Sequence, residues 1–354
     1  MKNLVSAVFC AGLMQITFAQ EKNIDKYIGE LENNLMHGFG LMEYANGTMY
    51  QGNFQYGKPH GLGTYVDVDG NQKTGIYEKG KFVSDYNYPD SWHVYDIYYD
   101  FEMNEGEKFS SYSIDIELFD EVGDTSNLYI APFGIGEING VQFYGGIQTN
   151  CGGYKDANHK KNNTPFTAQG RSIIFSRWNE TNSEAIKMDP NGVCEVGDEG
   201  DFLSVRNAFK WGVGKYTMTI YATDEKVTIN DIVHTWVGMK IYDHQNNQTV
   251  NAGYLAFPGE ELFLKNELEI FTQTYYESKK LDAMPKISME FSNFLFNDKP
   301  VEPYDPTAYY SYDLPHFGNA FWKGKSIHAF IGKFSPRRSI CFLEEGLLVY
   351  LKDY

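Results

Sequence analysis

Four acids, Asp115, Glu117, Asp120 and Glu121, crowd one short run of the sequence. Two carboxyl groups flanking a glycosidic bond are what acid/base cleavage of a sugar polymer needs. The run Tyr112-Ser113-Ile114-Asp115-Ile116-Glu117-Leu118 alternates apolar and polar residues, however, so it reads as a strand whose acids stand on a solvated face. A second acidic stretch, Asp189-Pro190-Asn191-Gly192, opens like a calcium loop, but Cys194 occupies the place of the tight-turn glycine. Farther on, Asp198, Glu199 and Asp201 offer the loop oxygens that calcium takes, and a plain acidic loop explains them as well. Calcium is the one cofactor left open. The eight histidines are scattered, and His-Glu-x-x-His, Cys-x-x-Cys, Gly-x-Ser-x-Gly and phosphate-loop patterns are absent.

Aromatic residues carry the remaining chemistry. Trp178 follows Arg177 and precedes Asn179 and Glu180, and Trp211 sits in a Gly-flanked turn. Indole faces stack on the apolar faces of sugar rings, while carboxylates, amides and guanidinium groups bind the hydroxyls. Arg177, Trp178, Glu180, Trp211 and Glu137 are therefore the candidate ligand-binding residues of a glycan site. Core or corner packing is the competing explanation for both tryptophans. In a catalytic alternative, Arg177 and Glu180, with Arg206 and Glu137, would act on a polysaccharide, although no catalytic motif singles them out.

Strands must hold these residues. Short apolar-rich runs at Val141 to Tyr144, Ser172 to Phe175, Tyr216 to Tyr221, Val237 to Tyr242, Ala252 to Phe257, Lys286 to Phe291, Ile327 to Phe330 and Leu347 to Leu351 are punctuated by Gly, Asn, Asp and Pro. Many short strands with little helical periodicity predict an all-β chain, with residues 91–354 forming an antiparallel β-sandwich of jelly-roll or concanavalin-like type. Pro300 to Pro315 is expected to be a long Pro/Tyr-rich loop within it. Residues 84–90 read as a linker. Ile24, Tyr27, Ile28, Leu31 and Leu35 fall at helical spacing, so 20–35 reads as a short helical cap.

Between cap and linker lies an internal repeat. His37-Gly38-Phe39-Gly40 returns as His60-Gly61-Leu62-Gly63, Gly47 returns as Gly70, and Tyr50-Gln51-Gly52-Asn53-Phe54 with Gly57 returns as Lys73-Thr74-Gly75-Ile76-Tyr77 with Gly80. Asn46-Gly47 and Asp69-Gly70 are strong signals for two-residue hairpin turns, so each period reads as one β-hairpin. Residues 36–83 resemble MORN repeats, whose unit runs Tyr-x-Gly-x-aromatic-x-x-Gly followed by Gly-x-Gly. The first unit here lacks the leading Tyr-x-Gly and the third lacks the trailing pair. The resemblance implies a hairpin ribbon used as an interaction module. A second resemblance rests on Phe143 to Gln148, Gly170 to Trp178, Glu199 to Phe202 and Trp211 to Tyr216. Roughly 125–280 looks like a family of secreted bacterial domains of unknown function with a concanavalin-like sandwich. It implies extracellular work on glycans and transfers no catalytic residue.

Met1 to Ala19 reads as a secretory leader: Lys2, an apolar stretch, then small residues at the cut. The expected location is secreted, periplasmic or extracellular. After removal of the leader, Cys151, Cys194 and Cys341 remain, and Cys151–Cys194 is the expected disulfide because both lie in Gly-rich sequence of one domain. With 30 basic and 47 acidic residues the net charge is −17, which repels nucleic acid and anionic lipid. No run is long and apolar enough to span a bilayer. The ribbon's lysines are balanced by acids, so membrane-lipid binding is not expected. The sequence thus predicts a secreted, noncatalytic glycan- or cell-surface-binding protein. A polysaccharide-degrading enzyme and a structural cell-envelope interaction protein are the alternatives. An exposed hairpin edge could also pair two copies into a homodimer.

Overall fold

The computed structural model of the chain describes residues 16–17, 25–87, 89, 91–197, 200–275, 284–314, 316–337, 341–342 and 346–351. Two compact units emerge. The smaller comprises 1–87, 310–316 and 335–349, and the larger comprises 88–309, 317–334 and 350–354. The smaller unit therefore takes two segments, 310–316 and 335–349, from the stretch expected to be all sandwich.

Seven strands, β1 (Ile16–Thr17), β2 (Lys26–Glu32), β3 (Leu35–Glu43), β4 (Met49–Gln55), β5 (Lys58–Val66), β6 (Gln72–Glu78) and β7 (Lys81–Asp85), form an antiparallel ribbon in sequence order. Of the expected helical cap, residues 20–24 lie outside the described residues, and from Lys26 it is instead β2 and the start of β3. Spacings of four satisfy a strand's period of two as well as a helix turn, and Gly29 in a helix interior would cost roughly 1 kcal/mol. Asn33-Asn34, Tyr56-Gly57 and Lys79-Gly80 all carry positive φ and close the β2–β3, β4–β5 and β6–β7 hairpins. The tight turns thus recur at the repeat period, but not where Asn46-Gly47 and Asp69-Gly70 had placed them. Those two pairs lie in longer connections, in which Tyr44 N–H donates to Thr48 O (2.9 Å) and Asp67 N–H to Asn71 O (3.0 Å).

The register explains the repeat. Gly29, Gly40, Gly52, Gly63 and Gly75 pair successively across β2 to β6, forming a row without side chains. Tyr27 lies over Gly29 and Gly40, and Tyr50 over Gly63. A Cβ on Gly63 would sit 2.1 Å from the Tyr50 hydroxyl. Seated on the row, Tyr27, Phe54, Tyr50, Tyr77 and Phe82 meet edge to face at centroid distances of 5.0–5.5 Å, a geometry that favours aromatic pairs. On the other face, Phe39 stacks on Tyr312 and His316, and buried Gln51 bonds His316 Nδ1 (3.2 Å) and accepts from Arg337 N–H (2.6 Å).

In the larger unit the strands are β8 (Ser91–Phe101), β9 (Ser111–Leu118), β10 (Leu128–Ile138), β11 (Val141–Tyr154), β12 (Phe166–Trp178), β13 (Ile186–Met188), β14 (Val193–Val196), β15 (Phe202–Ala208), β16 (Gly214–Ile229), β17 (Ile232–Asp243), β18 (Gln248–Pro258), β19 (Glu267–Tyr275), β20 (Ile287–Phe296), β21 (Lys299–Pro300), β22 (Pro303–Ser311), β23 (Gly318–Lys323) and β24 (Ser326–Ile331). One sheet runs β12–β15–β14–β11–β10–β19–β8–β22, and the other β13–β18–β17–β16–β9–β20–β24–β23. They enclose an aromatic core in an antiparallel sandwich: Phe101 stacks on Tyr112 at 5.2 Å, and Phe257 meets Phe143 and Phe175. The hydroxyls of buried Tyr99 and Tyr112 bond each other at 3.2 Å, satisfying two polar groups that would otherwise be stranded. The expected loop at 300–315 is largely strand β22. Its two prolines sit at the strand's first residue and beside a register shift between Tyr304 and Thr307, where a missing N–H costs no ladder bond. Toward the C-terminal end, β25 (Cys341–Phe342) pairs with β26 (Gly346–Tyr350).

Candidate binding face

Strand alternation sends every second side chain of the first sheet outward, and the register aligns the aromatic ones. Trp178 (β12) meets Tyr144 (β11) at 6.0 Å, Tyr144 meets Tyr129 (β10) at 6.4 Å, and Tyr129 meets Phe271 (β19) at 5.3 Å. Phe271 in turn lies flat against His93 (β8), centroids 4.2 Å apart and planes 17° apart. This row crosses five strands, or about 19 Å at the usual strand spacing. Phe202 on β15 extends it beyond Trp178 at 5.7 Å. Its middle, Tyr129 and Phe271, is buried with Ala131, Cys151 and Ile174, while Trp178 and Tyr144 at one end and His93 at the other are partly exposed.

At the His93 end the face becomes acidic. A register shift between Thr272 and Gln273 opposite β8 puts His93 and Asp96 on one side of the strand despite their three-residue spacing; bulges commonly re-aim side chains in this way. His93 Nδ1 contacts Asp96 Oδ1 at 2.5 Å, and the Glu269 carboxyl from β19 lies beside them. One ligating atom from each of the three lies within 4.8 Å of the others. Glu269 is 4% exposed, and burial, reinforced by the neighbouring Asp96 carboxyl, pushes its pKa well above the usual carboxylate range. Burial and the same two acids also hold the Tyr98 hydroxyl well above its usual range. Oxygens of the Asp96 and Glu269 carboxyl groups lie within 4.8 Å of each other, whereas glycosidase pairs stand about 5–9.5 Å apart to flank a bond or admit water. The cluster suits proton sharing or cation binding, and its geometry is not that of a glycosidase pair.

The residues expected to form a glycan site are dispersed. Trp178 is on the outer face. Arg177, its neighbour, points into the core, donates to the Ala256 carbonyl and lies 5.1 Å over the Phe257 ring; burial lowers its pKa to about 10. Glu180 is half-buried and caps a turn, accepting from the N–H groups of Thr181 (2.9 Å) and Asn182 (2.8 Å). Trp211 is 2% exposed, packed under the Arg171 guanidinium and donating Nε1–H to Gln148 O (3.3 Å). It is a core residue, so the expectation that it binds ligand is corrected. Glu137 lies near the end of the β10–β11 hairpin opposite Gln142, its carbonyl accepting from Lys265 N–H. Arg206 is committed to an ion pair with Glu195 and to the Gly152 carbonyl. Of the calcium candidates, Asp198 and Glu199 lie outside the described residues, and Asp201 is exposed with its carbonyl accepting from Asn179 N–H (2.8 Å).

The expected disulfide does not form: Cys151 and Cys194 are both free and buried. Cys194 on β14 pairs with Tyr154, three residues along β11 from Cys151. That offset is about 10 Å of strand, beyond the Cα separation a disulfide spans. Asp115, read as a solvated strand acid, is instead buried. It pairs with Lys215 at 2.8 Å and accepts from Thr217 Oγ1 (2.6 Å) and Asn293 Nδ2 (3.3 Å).

His93, Asp96 and Glu269 were absent from the sequence-derived candidates. No motif links them, and only the strand pairing brings them together.

Comparison with known proteins adds three findings. A crystal structure of Scytalido-glutamic peptidase with a peptide-based transition-state analog aligns over 69% of this chain and 100% of its own, at 8% identity and a TM-score of 0.33. The "Inactive protein tyrosine kinase pTKL" of Plasmodium berghei (strain Anka) is 47% identical over 58 residues, which are 15% of this chain and 4% of that protein. This chain thus matches a small fraction of that relative's length. The MORN repeat family matches residues 27–49 and 50–72, so Tyr27-Ile28-Gly29 supplies the leading Tyr-x-Gly of a first full repeat, and residues 27–72 of the ribbon are MORN repeats.

Proposed function

We propose that this chain is an exported binding protein that recognises a glycan on the outer face of its first sandwich sheet, with the MORN ribbon as a protein-interaction module. The observation that carries the reading is the partly exposed Trp178–Tyr144 pair, centroids 6.0 Å apart, at one end of an aromatic row. An aromatic surface with a polar group beside it, here the exposed Asn179 that follows Trp178, is the chemistry that sugar rings select. The spacing of the Asp96 and Glu269 carboxyls, whose oxygens lie within 4.8 Å, is shorter than that of a glycosidase pair and favours binding over cleavage. The test is affinity electrophoresis of the full chain through gels containing individual polysaccharides. Retardation by at least one polymer, lost in Trp178→Ala and kept in Tyr56→Phe on the ribbon, is expected. Failure to bind any polymer, or retardation unchanged in Trp178→Ala, contradicts the proposal.

A further inference from the structure

We propose that His93, Asp96 and Glu269 form a binding site for a divalent transition-metal ion on the outer face of β8 and β19. One imidazole nitrogen and two carboxylate oxygens from two adjacent strands already lie within 4.8 Å of one another. Ligands around one ion bound at about 2.0–2.2 Å stand some 3–4 Å apart, so small side-chain rotations complete the set. Mixed nitrogen and oxygen donors suit zinc, cobalt, manganese or iron(II), whereas calcium takes six to eight oxygens. Three protein ligands also leave coordination positions for water or a ligand group.

Two independent features point to a cation. The first is charge. Asp96 and Glu269 are largely buried against each other, with acidic Glu267 and the Tyr98 and Tyr309 phenols nearby. Among the described residues neither carboxyl pairs with a lysine or arginine, and Lys265 is engaged by Glu267 at 2.5 Å. Two adjoining carboxyl groups with only the His93 imidazole, and no lysine or arginine, beside them make an electronegative pocket that a cation would neutralise. The second is orientation. Phe271 lies flat on the His93 ring at 4.2 Å, and the register shift beside β8 turns His93 toward Asp96, so packing fixes the imidazole plane before any ion arrives. The proposal stands apart from the glycan reading, because the Trp178 end can fail while this end binds its ion.

The experiment uses the untagged full chain, stripped with chelator and titrated separately with Zn²⁺, Co²⁺ and Ca²⁺. One Zn²⁺ per chain by calorimetry and visible absorption from bound Co²⁺ are expected. Asp96→Asn and Glu269→Gln should each weaken Zn²⁺ binding by at least about tenfold. His93→Ala, at a half-exposed position that spares the buried carboxyls, should do the same with unchanged circular dichroism. Ca²⁺ should not displace Co²⁺. Absence of Zn²⁺ binding at ~1 mM, Zn²⁺ binding unaffected by His93→Ala, or displacement of Co²⁺ by Ca²⁺ overturns the proposal.

Discussion

Replacing Gly63 by alanine tests the physical reason for the ribbon's repeat. Gly63 has no positive φ, so an alanine is tolerated by the backbone itself. Its Cβ would lie 2.1 Å from Tyr50 Oη, 2.3 Å from Cζ and 2.7 Å from Cε2. Ordinary contact is about 3.5–4.0 Å, so the ring must retreat by more than about 1 Å. Tyr50 is fully buried between Phe54 (5.1 Å) and Tyr77 (5.0 Å), and its hydroxyl donates to Asn53 O at 3.2 Å. Retreat therefore sacrifices a hydrogen bond, worth about 1 kcal/mol, and overpacks the ladder at a further 1–3 kcal/mol, roughly 3 kcal/mol together. All five tryptophans, Trp92, Trp178, Trp211, Trp236 and Trp322, belong to the larger unit, so fluorescence does not report on the ribbon. Amide exchange across Met49–Gln55 and Lys58–Val66 does. Faster exchange there is expected in Gly63→Ala, with the penalty largely relieved in a Tyr50→Ala background. Gly70→Ala, with nothing within 4 Å of its Cβ, should show backbone strain of about 1–2 kcal/mol. A Gly63→Ala effect below ~0.5 kcal/mol, or one independent of Tyr50, would show that the glycine row is not needed to seat the tyrosine ladder.

His316 gives a pH dependence. Burial first, and the Arg337 charge second, lower its pKa from 6.5 to about 3. The unfolded chain therefore binds a proton that the fold excludes, so this contribution is intact above pH 6.5 and declines as pH falls toward 3, by about 1.4 kcal/mol per unit, or ~2 kcal/mol at pH 5. Acid destabilisation of the smaller unit between pH 6.5 and 4.5, followed by amide exchange, should be shallower in His316→Gln; an unchanged slope would exclude the residue as its source. Cys194, whose pKa burial raises to about 12, and buried Cys151 should resist iodoacetamide at pH 8 until the chain unfolds. Mass spectrometry finding these two cysteines linked, or alkylated in the native protein, would contradict the structure. Asp115→Ala leaves Thr217 and Asn293 without their acceptor and Lys215 without its ion pair, and should cost about 3 kcal/mol in urea unfolding. A loss under ~1 kcal/mol would return Asp115 to the solvated role its alternating run suggested.

The sequence made the ribbon and the sandwich legible for different reasons. Glycines and aromatics recurring in register announced the repeat because each does local work: Gly29 to Gly75 form a bare row and the tyrosines cover it. The first repeat was misread since Tyr27, Leu31 and Leu35 satisfy both periods, and only pairing with β3 decides between them. Tyr56 and Lys79 hid two of the tight turns, because neither is a usual left-handed residue. Alternation found the sandwich strands, but the prolines of β22 disguised one of them. For the binding face, composition drew attention to Trp178 and Trp211 alike. Alternation on β12 turns Trp178 outward and Arg177 inward, while Trp211 lies beneath Arg171. The acid cluster was illegible because His93, Asp96 and Glu269 come together only through a bulged pairing of strands far apart in the chain.

The most direct test of the claim that the outer sheet face binds ligand is hydroxyl-radical footprinting of the full chain, with and without a polysaccharide that retards it. Protection of Trp178 and Tyr144 is expected, with Tyr56 and Tyr304, 71% and 64% exposed, oxidised as before. Protection at Tyr56 or Tyr304 with Trp178 and Tyr144 unaffected would contradict it.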